Sequence, residues 1–278
     1  MENSCFLIWN VRGLNDRARR DSVKSLVLDI KPSIVCLQET KLCAISDFDM
    51  LSILGTGFSN FVYSPAQGTR GGVLIAWRDG SFVSVASVVK NFSVSVQFQD
   101  ESGSSWWFTG VYGPHQDIFK QEFIHELRTV RDECVGPWFL CGDFNMILRE
   151  EDKNNSNINR LMMGRFRGFV NSMELKEIPL IGRRFTWSNQ REVPTLVKLD
   201  HVFCTADWED FFPDCSLHSN ATAVSDHCPL TLRIREGAWE GEDFTLRVFG
   251  QKSRGFWRWW LPRGVYLCRI FVHLRRYH

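Results

Sequence analysis

Short apolar runs of strand length recur along the first 235 residues, with turn-forming residues between them. Their β-branched and aromatic content favours buried strands. The runs cover residues 5–9, 34–37, 73–77, 106–112, 138–141, 198–203 and 229–232. Residues 93–99 instead alternate polar and apolar side chains, which predicts a strand with one face in water. Because residues 82–89 form a similar run directly before it, the two predict an antiparallel hairpin.

Three other segments carry apolar residues three and four positions apart, the spacing of an amphipathic helix. These stripes consist of Val23, Leu26, Val27 and Ile30, of Phe119, Phe123, Leu127 and Val130, and of Leu161, Phe166, Phe169, Val170 and Met173. Asn15 and Asp16 precede the first stripe and are candidate caps of that helix. Since strands and helices are interspersed, the sequence predicts a layered α/β protein with mixed sheets.

Composition narrows the class of protein without identifying it. The 278 residues are 44% hydrophobic and 23% charged, which is typical of a globular chain and excludes a disordered or fibrous one. No apolar stretch reaches the roughly 18 residues of a membrane helix, and no signal pattern opens the chain. Nine cysteines occur without a CxxC pair, so we expect reduced thiols rather than zinc or disulfides. These features predict an intracellular protein without a membrane partner.

The character of the chain changes after residue 235. Residues 236–278 carry eight Lys/Arg and four Asp/Glu among several tryptophans, which leaves 25 basic and 28 acidic residues in the body. We therefore expect a domain over residues 1–235 and a basic, Trp-rich tail over 236–278. Three interpretations of that tail remain open, namely a poorly ordered extension, a nucleic-acid-binding segment and an out-of-frame coding segment. An acidic body excludes DNA binding by bulk charge, so any phosphate site must be local or offset by a metal.

Polar residues that bind metal or move protons recur at the ends of several predicted strands. They are Asn10, Glu39, Asp143, Asn145, Asp200, Asp226 and His227. Each alone is more commonly a cap or a solvated turn residue, but together they predict an active site between sheets. Carboxylate and amide oxygens suit Mg²⁺ or Mn²⁺, with Glu39 sufficient as principal ligand. Asp200 would orient His227, and Asp143 would take a proton from water. Together with a metal ion, these groups are suited to phosphoester hydrolysis.

Six ordered motifs strengthen this interpretation: residues 8–14 (IWNVRGL), 37–40 (LQET), 111–114 (VYGP), 142–145 (GDFN), 198–200 (KLD) and 225–227 (SDH). They resemble the endonuclease/exonuclease/phosphatase superfamily, and most closely the endonuclease domain of plant LINE-type (non-LTR) retrotransposon polyproteins. The resemblance implies a four-layer α/β sandwich of the DNase I type, with two mixed β-sheets flanked by helices.

The resemblance also implies a role for each matching residue. Glu39 is similar to the family's metal ligand, with Asn10 and Asp226 beside it. Asp143 and Asn145 resemble the pair that activates water, and Tyr112 resembles the hydroxyl that contacts the scissile phosphate. His227 with Asp200 resembles the dyad that polarises the phosphate. On the substrate side we place Trp187, Arg184 and His201.

Two departures from the family pattern leave alternatives open. His201 stands where the family commonly has Arg, and Arg12 stands where some repair-type relatives carry an acid. We expect a monomeric, Mg²⁺-dependent endonuclease that nicks one DNA strand, nuclear if it acts on genomic DNA. No reverse transcriptase follows, which suggests a retroelement fragment or a gene derived from one. The alternatives are a catalytically inactive remnant and a phosphomonoesterase, for which Arg183, Arg184 and Arg191 are only scattered basic candidates.

Overall fold

Strands and helices alternate along the part of the chain that the computed structural model describes, residues 4–68, 71–100, 102–222 and 224–235. The strands are β1 (Cys5–Asn10), β2 (Ile34–Gln38), β3 (Asn60–Ser64), β4 (Val73–Trp77), β5 (Val83–Val89), β6 (Ser93–Gln99), β7 (Ser105–Tyr112), β8 (Trp138–Asp143), β9 (Lys176–Glu177), β10 (Leu180–Ile181), β11 (Trp187–Ser188), β12 (Leu196–Val197), β13 (Asp200–Cys204), β14 (Cys215–Ser219) and β15 (Leu230–Ile234). The α-helices are α1 (Arg17–Ile30), α2 (Asp47–Leu54), α3 (Asp117–Glu133), α4 (Arg160–Ser172) and α5 (Ala206–Phe211).

Two large sheets and one short ribbon collect these strands. The first sheet has the order β10-β14-β15-β1-β2-β4-β3, and the second has the order β5-β6-β7-β8-β13-β9. β11 and β12 form the separate ribbon. Both large sheets are mixed, because β1 runs parallel to β2 and β7 runs parallel to β8, whereas most other neighbours are antiparallel.

Three buried clusters show how the layers stack. The middle cluster fills the space between the two sheets and includes Phe6 from β1 and Phe108 from β7, whose rings meet edge to face 5.8 Å apart. A second cluster joins the first sheet to α1 and α2, and a third joins the second sheet to α3 and α4. The order helix, sheet, sheet, helix confirms the predicted four-layer α/β sandwich.

The helices begin where local capping allows. The side chain of Asp16 accepts a hydrogen bond from the Ala18 N–H, so the predicted cap of α1 is confirmed. The helix α2, which the sequence analysis missed, starts with a reciprocal capping box between Ser46 and Asp49. Its eight residues are too few to show a clear stripe, which explains why spacing alone did not reveal it.

The prediction that one face of residues 93–99 lies in water is wrong. The strand β6 is buried on both faces along most of its length because α3 covers the side that carries the polar residues. There Ser93 donates to the Glu126 carboxylate of α3 at 2.7 Å, and the hydroxyls of Ser95 and Thr109 lie 2.8 Å apart. Small hydroxyls paired in this way are buried at little cost. The alternation of polar and apolar residues in β6 therefore does not mean that its polar side chains are exposed.

The described residues of the body belong to one compact unit. None of the helices in that part of the chain combines the length and hydropathy that a bilayer crossing requires. The eight cysteines within the described residues are unpaired, as expected from their spacing. The tail predicted for residues 236–278 lies outside the described residues.

Candidate active site

The strand topology brings four polar strand ends to one edge of the molecule. In the first sheet, β1 and β2 are parallel, so Asn10 pairs with Gln38 and Glu39 follows directly. In the second sheet, β7 and β8 are parallel, so Tyr112 pairs with Asp143. Parallel strands end at the same edge of a sheet. Because the two sheets pack face to face, the ends of β1 and β8 also meet, and Asn10 donates to Asp143 from a distant part of the sequence.

Two further residues reach the same edge because their strands run the opposite way. β13 is antiparallel to β8, and its first residue, Asp200, stands directly opposite Asp143. β15 is antiparallel to β1, so His227, which comes shortly before β15, lies beside the end of β1. The Trp9 indole N–H donates to the His227 carbonyl at 3.1 Å and fixes this approach.

The imidazole of His227 is buried between two carboxylates. Its Nδ1 lies 2.8 Å from Asp200 Oδ2, and its Nε2 lies 3.6 Å from Asp143 Oδ2. Burial opposes protonation of the ring, but the negative charges of Asp200 and Asp143 outweigh it and raise the pKa of His227 to about 10. The ring is therefore an oriented imidazolium at neutral pH, able to donate a proton or stabilise negative charge.

Asp143 is completely buried yet well supplied with donors. Asn10 donates to its Oδ2 at 2.8 Å, and the backbone N–H of Asn145 donates to its Oδ1 at 2.9 Å. Burial raises the pKa of Asp143 to about 7, against the opposing influence of the His227 charge. A carboxyl group with that pKa can exchange a proton near neutral pH. Asn145 adopts a left-handed backbone conformation (φ 50°) that Asn tolerates better than most residues.

Glu39 and Tyr112 approach each other on the other side of this cluster. A Cβ added at Gly71 would lie 2.7 Å from the Tyr112 ring and 2.8 Å from Glu39 Cγ, so this glycine lets both side chains share the space. Burial, followed by the charges of Glu39 and Asp143, raises the pKa of Tyr112 far above its ordinary value. The phenol therefore stays neutral and is available as a hydrogen-bond donor.

Asp226 has one oxygen engaged and one without a partner. Its Oδ2 accepts from Arg12 and from the Trp187 indole N–H, each at 2.9 Å. Its Oδ1 is buried and has no hydrogen-bond partner among the described residues. A buried carboxylate oxygen without a donor is costly, and a bound cation is one way to offset that cost.

A model described as the endonuclease/exonuclease/phosphatase family matches residues 7–227. The chain belongs to this family. Enzymes of the family hydrolyse phosphoester bonds and use divalent metal ions. The resemblance inferred from the six motifs is thereby confirmed. A search of curated protein sequences returns no significant match.

Several solved structures are similar to this member of the endonuclease/exonuclease/phosphatase family. The endonuclease domain of TRAS1, a telomere-specific non-LTR retrotransposon, is 17% identical over 84% of this chain and 99% of that domain, with a TM-score of 0.63. The AP endonuclease LMAP from Leishmania major is 19% identical over 84% and 88%, with a TM-score of 0.65. D. rerio TDP2, complexed with a single-strand DNA product, is 16% identical over 84% and 100%, with a TM-score of 0.60. At these identities the likeness shows the fold.

The side chains present fit a divalent cation at the Glu39 and Asp226 side of the site. Both are oxygen ligands, Asp226 has the unpartnered Oδ1, and Asn10 pairs in the sheet with Gln38, the residue before Glu39. Asp143, Asp200 and His227 also offer ligand atoms within 4.8 Å of one another. In that cluster His227 Nδ1 lies 2.8 Å from Asp200 Oδ2. The described residues thus offer two groups of potential metal ligands.

Two of the predicted substrate-side residues are not brought to the cluster. The Arg184 Nε donates to the Glu151 carbonyl at 2.8 Å, while the neighbouring Arg183 lines the cavity beside Trp187. His201 is fully buried: its Nδ1 lies 2.8 Å from Glu177 Oε1 and its Nε2 lies 3.2 Å from the Met146 carbonyl. Without exposed surface, His201 has no contact to offer to a substrate.

Three residues that the sequence analysis did not assign hold the site together. The Thr186 hydroxyl accepts from the backbone N–H of Asp200 at 3.1 Å, and the Ser225 hydroxyl donates to the Asn10 carbonyl at 2.8 Å. The His115 Nε2 lies 3.4 Å from the Tyr112 hydroxyl. Ser225 belongs to the motif of residues 225–227, Thr186 directly precedes Trp187, and His115 directly follows residues 111–114, so proximity to residues already named was the available signal.

Proposed function

We propose that this protein is a metal-dependent phosphodiesterase, derived from a retrotransposon, that nicks one strand of DNA by water attack on phosphorus. The observation that carries the proposal is the buried His227–Asp200 pair, 2.8 Å apart, next to Asp143. A chain maintained only for packing gains nothing from two carboxylates around one buried imidazolium, because burying charge is costly. Acting on genomic DNA would place the protein in the nucleus.

In this proposal Asp143 accepts the proton of the attacking water. Its pKa of about 7 gives a usable fraction of carboxylate at neutral pH. The donors from Asn10 and Asn145 hold the carboxylate in one orientation, so its free lone pair keeps a constant direction toward the water. Asn145 is itself held by its Nδ2–H bond to the Gly113 carbonyl at 2.8 Å.

His227 and Tyr112 supply hydrogen bonds to the phosphoryl oxygens. Asp200 holds the imidazolium through Nδ1, so the charged Nε2–H faces the reaction space that Asp143 borders. The neutral phenol of Tyr112, at the end of β7 in the second sheet, adds a second donor. Fixed donors aimed at developing negative charge stabilise a transition state without reorganising at the moment of reaction.

Glu39, Asp226 and Asn10 would hold a Mg²⁺ ion, with Mn²⁺ as a substitute. The ion would supply positive charge that offsets the phosphate and polarises the scissile ester. Arg12 and Lys41 neutralise the two carboxylates in part, at 2.9 Å from Asp226 and 3.2 Å from Glu39.

DNA is the substrate that the surroundings of the site favour. Arg183 and the indole of Trp187 line a cavity that also contains Asp226 and His227, a combination of cation and ring suited to a nucleotide. Two of the similar structures described above are endonucleases by their titles, and the third is complexed with a single-strand DNA product. Since the protein buries its site in a single chain, we propose a monomer.

Nicking of supercoiled plasmid by the full chain, with Mg²⁺ or with a chelator, tests the proposal. We expect Mg²⁺-dependent conversion to the open circle, abolished in Glu39→Gln and His227→Ala and unchanged in His125→Ala, an exposed histidine on α3. Equal nicking by all variants rejects the proposal. Phosphate release from monoesters without nicking supports the phosphomonoesterase, and Mg²⁺ binding without any turnover supports the inactive remnant.

A further inference from the structure

Two cavities flank the carboxylates of the site. The larger, about 820 Å³, has Glu39 and Tyr112 in its wall, and the smaller, about 390 Å³, has Asp226 and His227. A phosphodiester joins two nucleosides, so a phosphate held between these residues sends one nucleoside toward each cavity. The proposed function uses the smaller cavity and assigns no occupant to the larger one.

The chemistry of the larger cavity favours a neutral group over an anion. The charge of Lys41 is matched by Glu39 at 3.2 Å, and Glu122 adds a further negative charge to the lining. Burial lowers the pKa of His115, which keeps that ring uncharged at neutral pH. The remaining lining includes aromatic rings and amide side chains, namely Phe92, Phe119, Gln67 and Gln116. Aromatic faces with amide groups beside them match a nucleobase, which has a flat ring and hydrogen-bonding edges.

Phe119 offers a free aromatic face in this cavity. It is 38% exposed, whereas Phe92 is 8% exposed and packs its ring against Phe123 at 5.6 Å. The first turn of α3 holds Phe119 in place, because its N–H donates to the Gln116 carbonyl at 3.1 Å. The same turn is anchored by Asp117, whose carboxylate accepts from the amide of Asn159, the N-cap residue of α4, at 2.7 Å. Phe119 is therefore an aromatic platform whose backbone is held in place.

His115 connects this platform to the reacting end of the site. Its Nε2 lies 3.4 Å from the Tyr112 hydroxyl, and the two rings meet edge to face with centroids 6.3 Å apart. A group that follows the phosphate from Tyr112 along the wall thus passes His115 before it reaches Phe119 and Gln116.

We propose that the larger cavity binds the base of a nucleotide adjoining the scissile phosphate, unstacked from its neighbours, with Phe119 as the stacking surface. The inference rests on the proposed function for the position of the phosphate. A base inside a duplex stack has no free face to offer to Phe119, so the protein would bind unpaired or distorted DNA in preference to regular duplex. Stacking on an aromatic side chain offsets the cost of leaving the stack.

Binding to two single-stranded probes tests the cavity without requiring cleavage. One probe is a thymidine oligonucleotide of about ten residues, and the other has the same backbone with every base replaced by hydrogen (abasic tetrahydrofuran units). Fluorescence anisotropy with the full chain, in chelator, gives both dissociation constants. The variants are Phe119→Ala, Phe119→Trp, which keeps a ring, and Ile118→Ala, a control that is 80% exposed and does not line the cavity.

We expect the wild type to bind the base-bearing probe more tightly than the backbone probe. Phe119→Ala should weaken only the base-bearing probe, by roughly fivefold to a hundredfold. Phe119→Trp and Ile118→Ala should keep the preference. An unchanged preference in Phe119→Ala overturns the proposal, and so does an equal loss on both probes, an equal loss in Ile118→Ala or a wild type without preference.

The two proposals fail in distinguishable ways. If the protein shows a base preference that depends on Phe119 but nicks no plasmid, the proposal of a base-binding cavity stands and the proposal of an endonuclease is rejected. Plasmid nicking by a protein without base preference retains the endonuclease and rejects the base cavity.

Discussion

Replacing Asp200 by Asn removes one negative charge from the buried pair while keeping the shape of the side chain. The carboxylate lies 2.8 Å from His227 Nδ1, and both residues are almost inaccessible to solvent. Asp200 is the foremost of the charges that favour the imidazolium against burial. Without that charge, burial has the greater influence, and we expect the pKa of His227 to fall.

The loss of activity in Asp200→Asn has two sources, the weakened hydrogen bond to His227 and the lost proton of its ring. A hydrogen bond to a charged group contributes about 1.5–3 kcal/mol, which corresponds to a loss of roughly 10- to 150-fold in kcat where His227 remains protonated. Above the lowered pKa of His227, the protonated fraction falls roughly tenfold with each pH unit. The defect of Asp200→Asn should therefore grow as the pH rises, since the wild-type ring stays protonated until about pH 10.

Single-turnover plasmid nicking at saturating Mg²⁺, measured from about pH 6 to about pH 9, checks this reasoning. The matched control is Asp29→Asn, an exposed aspartate on α1 that should nick at the wild-type rate throughout. Thermal melting of both variants establishes that they are folded at each pH. A ratio of wild-type to Asp200→Asn rates that stays constant across this range would refute the charge argument.

Four further outcomes are expected. In Glu39→Gln, saturating Mg²⁺ should no longer raise the melting temperature, whereas in the wild type Mg²⁺ at about 100 times Kd adds about 2.7 kcal/mol of stability. Gly142→Ala places a Cβ 2.2 Å from a carbonyl oxygen of β7 at φ 132° and should cost at least about 3 kcal/mol in urea unfolding. Gly164→Ala, in open space on α4, should instead gain about 0.5–1 kcal/mol. Burial opposes ionisation of Glu177, but His201 and neighbouring cations outweigh it and lower its pKa. Its contribution to stability is therefore present above the unfolded pKa of about 4.3 and lost on further acidification, so acid unfolding should be shallower in Glu177→Gln.

Much of the layered architecture could be predicted because the main strands and helices carry strong local patterns. The runs that became β1, β2 and β4 are buried over their whole length, and continuous apolar content predicted them well. The two-residue strands β9 to β12 were not predicted, because so short a segment has no periodicity. Their pairing depends on neighbours distant in sequence.

On the substrate side, sequence motifs alone did not reveal which residues reach the site. His201 follows Asp200 in the chain, so the sequence placed it beside the site, but adjacent residues of a strand face opposite sides. Asp200 accordingly faces His227, whereas His201 faces Glu177 in a buried polar cluster. Arg183 and Arg184 differ in the same way, since only Arg183 lines the cavity.

The sequence by itself determined which groups are available for chemistry and on which strand ends they lie, because side-chain type and apolar runs are local properties. Only the tertiary structure decided which of these groups meet. Asn10, Asp143 and His227 meet because of how their strands pair. β1 is parallel to β2 and β7 is parallel to β8, whereas β13 and β15 are antiparallel to β8 and β1. Burial there raises the proton affinity of Asp143, whereas the two carboxylates beside His227 outweigh burial and raise the proton affinity of that ring. Burial and the proximity of charges both depend on the layers packed around a residue rather than on its neighbours in the chain.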